Sequence, residues 1–167
     1  TTVGKYKAEV AAERAARINP NAIAIPLNLF VTKENAREIL DGIDADYIID
    51  AIDTVSAKLA LIEYATEKKV KIISSMGTGN KLDPTKLRVS DISKTSVCPL
   101  ARVMRHELRK NSVESLKVLC SKSPVYTSPE AEESENSKKR VPASISYVPP
   151  VAGFIIAGEV IKDLAAK

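Results

Sequence analysis

Tryptophan is absent, aromatic residues make up 4% of the 167-residue chain, and there is a single histidine. So few rings leave no interleaved aromatic platform on which single-stranded nucleic acid could stack. Cysteine is scarce too: Cys98 and Cys120 are too few for a disulfide framework or for a four-cysteine zinc site built within this chain. No apolar run nears the roughly 20 residues of a membrane-spanning helix. The richest, Val151 to Ala157, is far shorter, so no membrane is expected as a partner. With few cysteines and no signal peptide, the expected compartment is the reduced cytoplasm. Glycine is also short, at six residues. Parallel α/β nucleotide-binding proteins place a Gly-rich turn after their first strand, and this chain instead opens on a helix. Gly77-Thr78-Gly79 is too short and comes too late to be that turn.

What is present is ordinary globular material, with 44% hydrophobic and 28% charged residues, enough to bury the core of one domain. The charge is unevenly spread. Residues 1–92 hold 13 basic and 13 acidic side chains, and the net +4 comes from residues 93–167. Arg102, Arg105, Arg109, Lys110, Lys117 and Lys122 face only Glu107 and Glu114 within one short stretch, which suggests an anionic partner.

The pattern reads as alternating helices and strands. Gly4 to Ile18 is helical, stopped by Asn19-Pro20-Asn21, and Ala22 to Val31 alternates as a strand. Thr32 looks like an N-cap, with Asn35 where a capping box prefers Glu, for a short helix ending near Leu40. A strand at 46–53, a helix over 56–69 and a strand at 70–75 then give a βαβ unit. Leu87 to Ile92 and Ser115 to Cys120 read as strands, Pro99 to Lys110 as a basic helix. Ala143 to Val148 reads as a further strand, and Pro149-Pro150 opens a helix to about Leu164. Residues 128–140 are rich in charge and poor in apolar groups, so a mobile loop is expected. The expected class is α/β: a Rossmann-like, mostly parallel sheet flanked by helices, with further C-terminal strands and a helix.

Several residues carry possible chemistry. Lys7 stands in the first helical turn, either as a solvated lysine or as a phosphate contact. Asp53 ends an apolar strand, where α/β proteins bind ligands; it could equally cap the next helix. Arg102, Arg105 and Arg109 follow helical spacing and share a face, for phosphate contact or simply for solvation. Cys98 and Cys120 read as small core residues more readily than as nucleophiles, and His106 as a solvated helix residue.

Thr2-Val3-Gly4-Lys5-Tyr6-Lys7-Ala8-Glu9, Ile18-Asn19-Pro20 and Asp50-Ala51-Ile52-Asp53 resemble the ubiquitin-activating-enzyme-like family of ThiF, MoeB and HesA proteins. Further on, the sequence is similar to the branch of that family that dehydrates N6-threonylcarbamoyladenosine in tRNA. The stretches that carry this are Ser74 to Pro84, Asp91-Ile92-Ser93-Lys94-Thr95, Pro99-Leu100-Ala101-Arg102 and Val148 to Gly153. Cys98 departs from that branch, which often has Asp before Pro-Leu.

The resemblance implies an enzyme that adenylates a carboxylate with ATP and Mg²⁺, then closes a ring with release of AMP. It implies that Lys7 contacts ATP phosphates, that Phe30 lies near adenine, and that Asp53 holds the metal and is catalytic. Arg102, Arg105 and Arg109 would then meet tRNA, with a homodimer and sulfur-transfer proteins as possible partners. In this family the Gly-rich loop precedes the position of Thr1, so residues 1–167 are expected to form a single truncated adenylating domain, inactive alone. Two alternatives remain open. One is an adenylyltransferase acting on the C-terminus of a sulfur-carrier or ubiquitin-like protein, which would need a reactive cysteine. The other is an inactive scaffold of the same fold.

Overall fold

The computed structural model describes residues 2–126 and 143–166, together with the backbone of 133–134 and 137–140. It divides into two units, Thr1–Val31 and Thr32–Lys167.

In the first unit, helix α1 spans Lys7–Ile18 and buries none of its residues. Asn19 ends it, its Oδ1 accepting a bond from the Asn21 amide (3.1 Å). Glu9 accepts a hydrogen bond from the Asn28 amide nitrogen at 2.6 Å. The strand expected over Ala22 to Val31 does not form. Its alternation is real, but Ile23, Ile25, Leu27 and Leu29 are exposed. A strand is stabilised by a ladder partner and a face to bury, and no ladder includes this segment. Phe30, which a core position would have buried, is 75% exposed.

The second unit begins with the reciprocal bonds anticipated between Thr32 and Asn35, although the N-cap of the helix is Asn35 and not Thr32. The Thr32 amide donates to Asn35 Oδ1 (2.7 Å) and the Asn35 amide donates to Thr32 Oγ1 (3.3 Å). The bonds are reciprocal as in a capping box, with Asn doing what Glu usually does. Helix α2 (Ala36–Asp41) follows. Strands β1 (Tyr47–Asp50), β2 (Lys71–Ser75) and β4 (Lys117–Ser121) are parallel, and β3 (Leu87–Asp91) runs antiparallel beside β4. The sheet order is β1-β2-β4-β3. Helix α3 (Val55–Lys68) connects β1 to β2, and α4 (Pro99–Lys110) lies between β3 and β4.

Period-two alternation divides the core into two layers. Val118 and Cys120 point to the α3/α4 side, with Ile62, Met104 and Leu108. Ile73 and Leu119 point the other way, onto Val148, Ala152 and Ile156 of helix α5 (Val148–Ala165). The strand expected over Ala143 to Val148 is instead irregular chain and a turn, and the helix starts at Val148. Ala143 spends its backbone groups on Asn80 rather than on a neighbouring strand. Most of the charged stretch 128–140 lies outside the described residues; within it, β5 (Glu133–Ser134) and β6 (Ser137–Arg140) pair antiparallel.

Helix α5 is fastened at one end. Tyr47, Lys71 and Lys117, the first residues of the three parallel strands, all converge on Asp163. The Tyr47 hydroxyl and Lys117 ammonium each donate to its Oδ2 at 2.7 Å, and Lys117 also pairs with Glu159 at 3.1 Å. Helix α5 therefore runs back against the strands, its last turns over their N-terminal ends. Burial raises the Tyr47 hydroxyl pKa, and the Asp163 bond raises it further.

Asp91, which pairs with Lys117 at the end of β3, ties that edge of the sheet to the residues that lead into β4. Burial alone would raise its pKa, but bonds from the Ser115 and Ser93 hydroxyls and the Ser93 and Leu116 amides outweigh it and hold it at about 2. A depressed carboxylate stabilises the fold above its unfolded pKa, and that contribution is lost as pH falls through the folded value. Asp91→Asn is expected to lower stability near neutral pH by up to about 2 kcal/mol. It should also reduce the steepness of acid destabilisation between about pH 4 and pH 2, as read by urea titrations across that range.

Candidate functional site at the carboxyl ends of the strands

Asp50 and Lys58 are both fully buried, and their ammonium–carboxylate distance is 2.8 Å. Asp50 is the last residue of β1, and Lys58 sits one turn into α3, on its sheet-facing side. Ser74 Oγ donates to the same Asp50 oxygen at 2.5 Å, and Lys58 reaches Ser74 Oγ (3.2 Å) and Ser75 O (2.8 Å). The second Asp50 oxygen accepts from the Ile52 amide at 3.2 Å. One carboxylate thus joins the ends of β1 and β2 to α3 and sets the turn that leads to Asp53. In the sequence Asp50 stands out only as part of the Asp50-Ala51-Ile52-Asp53 motif, and Lys58 does not stand out at all. A lysine inside an apolar helical pattern looks like an ordinary surface residue until the strand-end acid is known to face it.

Asp53 is exposed at the mouth of a cavity of about 520 Å³. Gly77 to Lys81, Cys98 to Leu100, Val125 and Ser144 complete the lining. Thr54 occupies the N-cap of α3 and no side chain caps that helix, so the Asp53 carboxylate is not spent on capping.

The loop after β2 frames this cavity. Asn80 adopts a left-handed backbone with φ of 55°, a conformation Asn tolerates better than most residues. From there its carbonyl accepts from the Tyr126 amide (2.8 Å), its amide donates to Ala143 O (2.7 Å) and its Oδ1 accepts from the Ala143 amide (2.9 Å). Asn80 therefore holds the two chain segments that flank residues 127–142. Tyr147 adds a bond to Leu82 O (2.8 Å), and Lys81 one to Ser123 O (2.5 Å).

The other sequence candidates are dispersed. Lys7 is exposed in the first residue of α1, where the positive helix end favours an anion over a lysine. It lies with Phe30 in the first unit, and Asp53 in the second. Arg102 and Arg109 are exposed on α4. Arg105 is half-buried and donates to Thr95 O at 2.8 Å and to the Thr95 hydroxyl, so its guanidinium already braces the turn before the helix. His106 is exposed beside Glu107. Cys98 and Cys120 are buried, and burial together with the neighbouring Cys98 raises the Cys120 thiol pKa. Among the described residues no three His, Cys, Asp or Glu side chains form a metal cluster. Mg²⁺ suits such a place nonetheless, since it commonly takes one or two protein carboxylates and completes its shell with phosphates and water. Among the described residues no helix is long and apolar enough to cross a membrane.

A Rossmann-like sheet with an acid and a cavity at its strand ends defines a nucleotide-type α/β protein, and the full length of the chain, residues 1–167, matches the ThiF family. The chain belongs to that family. Its similarity is to one branch in particular. It is 37% identical, over 98% of its length, to the tRNA threonylcarbamoyladenosine dehydratase of Bacillus subtilis (strain 168), and 32% identical over 99% to that of Escherichia coli (strain K12). It covers 68% of each. The solved E. coli dehydratase TcdA in complex with ATP superimposes with a TM-score of 0.82 at 30% identity, over 98% of this chain and 65% of that one. The chain thus spans about two thirds of the length of these relatives. The guanylylpyridinol- and ATP-bound HcgE of Methanothermobacter marburgensis, at 18% identity and a TM-score of 0.67, shares the fold.

Breaking the buried pair on one side leaves an uncompensated charge, which typically costs about 3–5 kcal/mol. Lys58→Met is expected to destabilise the chain by that order in chemical denaturation. Adding Asp50→Leu to it should restore a large part of the loss, because the stranded carboxylate is removed. Equal stability of Lys58→Met and the wild type would show that the pair is not a constraint.

Proposed function

We propose that this chain is the greater part of an ATP-dependent dehydratase that cyclises N6-threonylcarbamoyladenosine in tRNA. The observation that carries the reading is the similarity to dehydratases of that name across 98–99% of the chain, with Asp53 at the mouth of the strand-end cavity.

In this reaction the substrate carboxylate attacks the α-phosphorus of ATP and pyrophosphate leaves. A neighbouring carbamoyl atom then attacks the acyl carbon and AMP leaves, so the net change is loss of water. The protein's task is positioning and charge neutralisation, because adenylation has already made a good leaving group. Asp53 would hold Mg²⁺, which lowers the charge of the phosphates, and Asp50, through Lys58 and the Ile52 amide, fixes the turn that carries it. Lys7 would meet the phosphates and Phe30 would lie by the adenine. No step asks for a thiolate, and both thiols are buried. Relatives that load sulfur onto carriers or form thioesters need a reactive cysteine, so the buried thiols favour the dehydratase over a thiol-using adenylyltransferase. tRNA would be met by phosphate contacts from Arg102 and Arg109, with a smaller share from Arg105. A second copy of the chain and a sulfur-transfer protein are further partners, in the cytoplasm.

The full-length protein, given threonylcarbamoyl-modified tRNA, should convert ATP to AMP and pyrophosphate. Asp53→Ala should reduce that turnover by roughly a hundred-fold or more with an unchanged melting temperature. Release of ADP and phosphate would sink the adenylation mechanism, and unimpaired turnover in the variant would remove Asp53 from the site.

Phosphate contacts release counterions, so tRNA affinity should fall with salt at about 0.7–0.9 log units per contact per log unit of salt. Arg102→Ala with Arg109→Ala should weaken tRNA binding, flatten that slope by about 1.5 and leave ATP affinity alone. An unchanged slope would return this face to plain solvation.

A further inference from the structure

Lys81 is the least expected member of the cavity wall. Only 2% of it is exposed, yet it carries an ammonium group. Among the described residues its side chain makes one hydrogen bond, to a neutral acceptor, the Ser123 carbonyl. Among the described residues no carboxylate lies within ion-pair distance of it. The contrast with Lys58 is instructive, since that buried lysine has Asp50 at 2.8 Å. Burial pushes the Lys81 pKa down, an effect only partly offset by the nearby Cys98 and Cys120 thiols. A buried cation is costly without an anion to face it, and a lysine ammonium has three donors, of which Ser123 takes one. Asp53 lines the same cavity but is exposed, so water screens its charge in a way it cannot screen that of Lys81.

We infer that Lys81 is the counter-ion for an acid group of the substrate, a carboxylate or phosphate oxyanion, drawn into the cavity between the Gly77–Asn80 loop and the start of α4. The inference deepens the adenylation reading, which needs both a carboxylate and a phosphate held near Asp53, by naming the residue that meets one of them. Lys81 is a binding and orienting group here: its ammonium donates hydrogen bonds to the oxyanion, no proton is transferred and no covalent bond forms. The bond to Ser123 O anchors the ammonium, so part of its freedom is already lost before the ligand arrives.

Two small probes separate the sources of the oxyanion. N-carbamoylthreonine carries the carboxylate without nucleoside or phosphate, and inorganic pyrophosphate carries phosphate alone. Each is titrated into the full-length protein while the amide NMR signals of Gly77, Thr78, Gly79 and Asn80 are followed. Saturable shifts with at least one probe are expected, and the probe that gives them identifies the acid group. Lys81→Met should weaken that binding roughly ten- to hundred-fold, the range of a charge-assisted hydrogen bond, whereas Lys81→Arg should stay within several-fold of wild type. If Lys81→Met does not fold, Lys81→Gln, which keeps a donor for Ser123 O but no charge, takes its place. No saturation with either probe, or wild-type affinity in the uncharged variant, overturns the inference. Neither probe is turned over, so the outcome is independent of catalysis. Anion binding at Lys81 in a protein that releases no AMP would refute the dehydratase reading alone.

Discussion

The buried pair between Asp50 and Lys58 is the constraint on which the site is built. Two charges removed from water at the end of a sheet are tolerated only if each finds its partners, and here they do. Lys58 is shared among Asp50, Ser74 and the Ser75 carbonyl, and Asp50 takes in addition the Ser74 hydroxyl and the Ile52 amide. These bonds fix where β1 stops, how α3 departs from it and how β2 lies alongside. The backbone that presents Asp53 has little freedom left. A hydrophobic pair of the same volume would pack equally well but would not specify the turn, because dispersion is not directional.

The two ends of the sheet are treated differently. At the amino ends of the parallel strands, Tyr47, Lys71 and Lys117 gather on Asp163 and fasten α5. At the carboxyl ends Asp50 and Ser74 are tied to Lys58 of α3, and beyond them the loop from Gly77 to Lys81 lines a cavity. Asn80 is the joint of that loop. In a left-handed conformation it turns its amide, carbonyl and side chain toward chain segments from both sides of residues 127–142. One end of the sheet is fastened to α5 by ion pairs and the other borders a cavity, at the side where parallel strands of α/β proteins bind substrates.

The βαβ order, the basic helix and the closing helix were legible because each is an apolar period bounded by a cap or a proline. The Thr32–Asn35 bonds were legible for the same reason. The errors share one cause. Ala22 to Val31 and Ala143 to Val148 both carry strand-like residues, but a strand exists only where a neighbour accepts its backbone bonds. Ala143 gives those bonds to Asn80, a residue 63 positions away in the chain. Helical spacing likewise placed Arg102, Arg105 and Arg109 on one face without revealing that Thr95 engages the middle one.

The sequence by itself determined the α/β class, the order of most of its elements and the family resemblance. Those are properties of short stretches, and short stretches carry period, caps and motifs. The same pattern ended the first strand at Asp53, whereas the strand stops at Asp50 and Asp53 stands in the turn that follows. Tertiary structure alone decided the state of the lysines. Lys58 and Lys81 look like any other lysine in the chain, and nothing within a few residues of either marks it as buried. One is neutralised by a carboxylate from another element, and the other lines a cavity with no carboxylate of the described residues within ion-pair distance. Burial and charge pairing are set by which distant segments meet, so they appear only once the chain has folded.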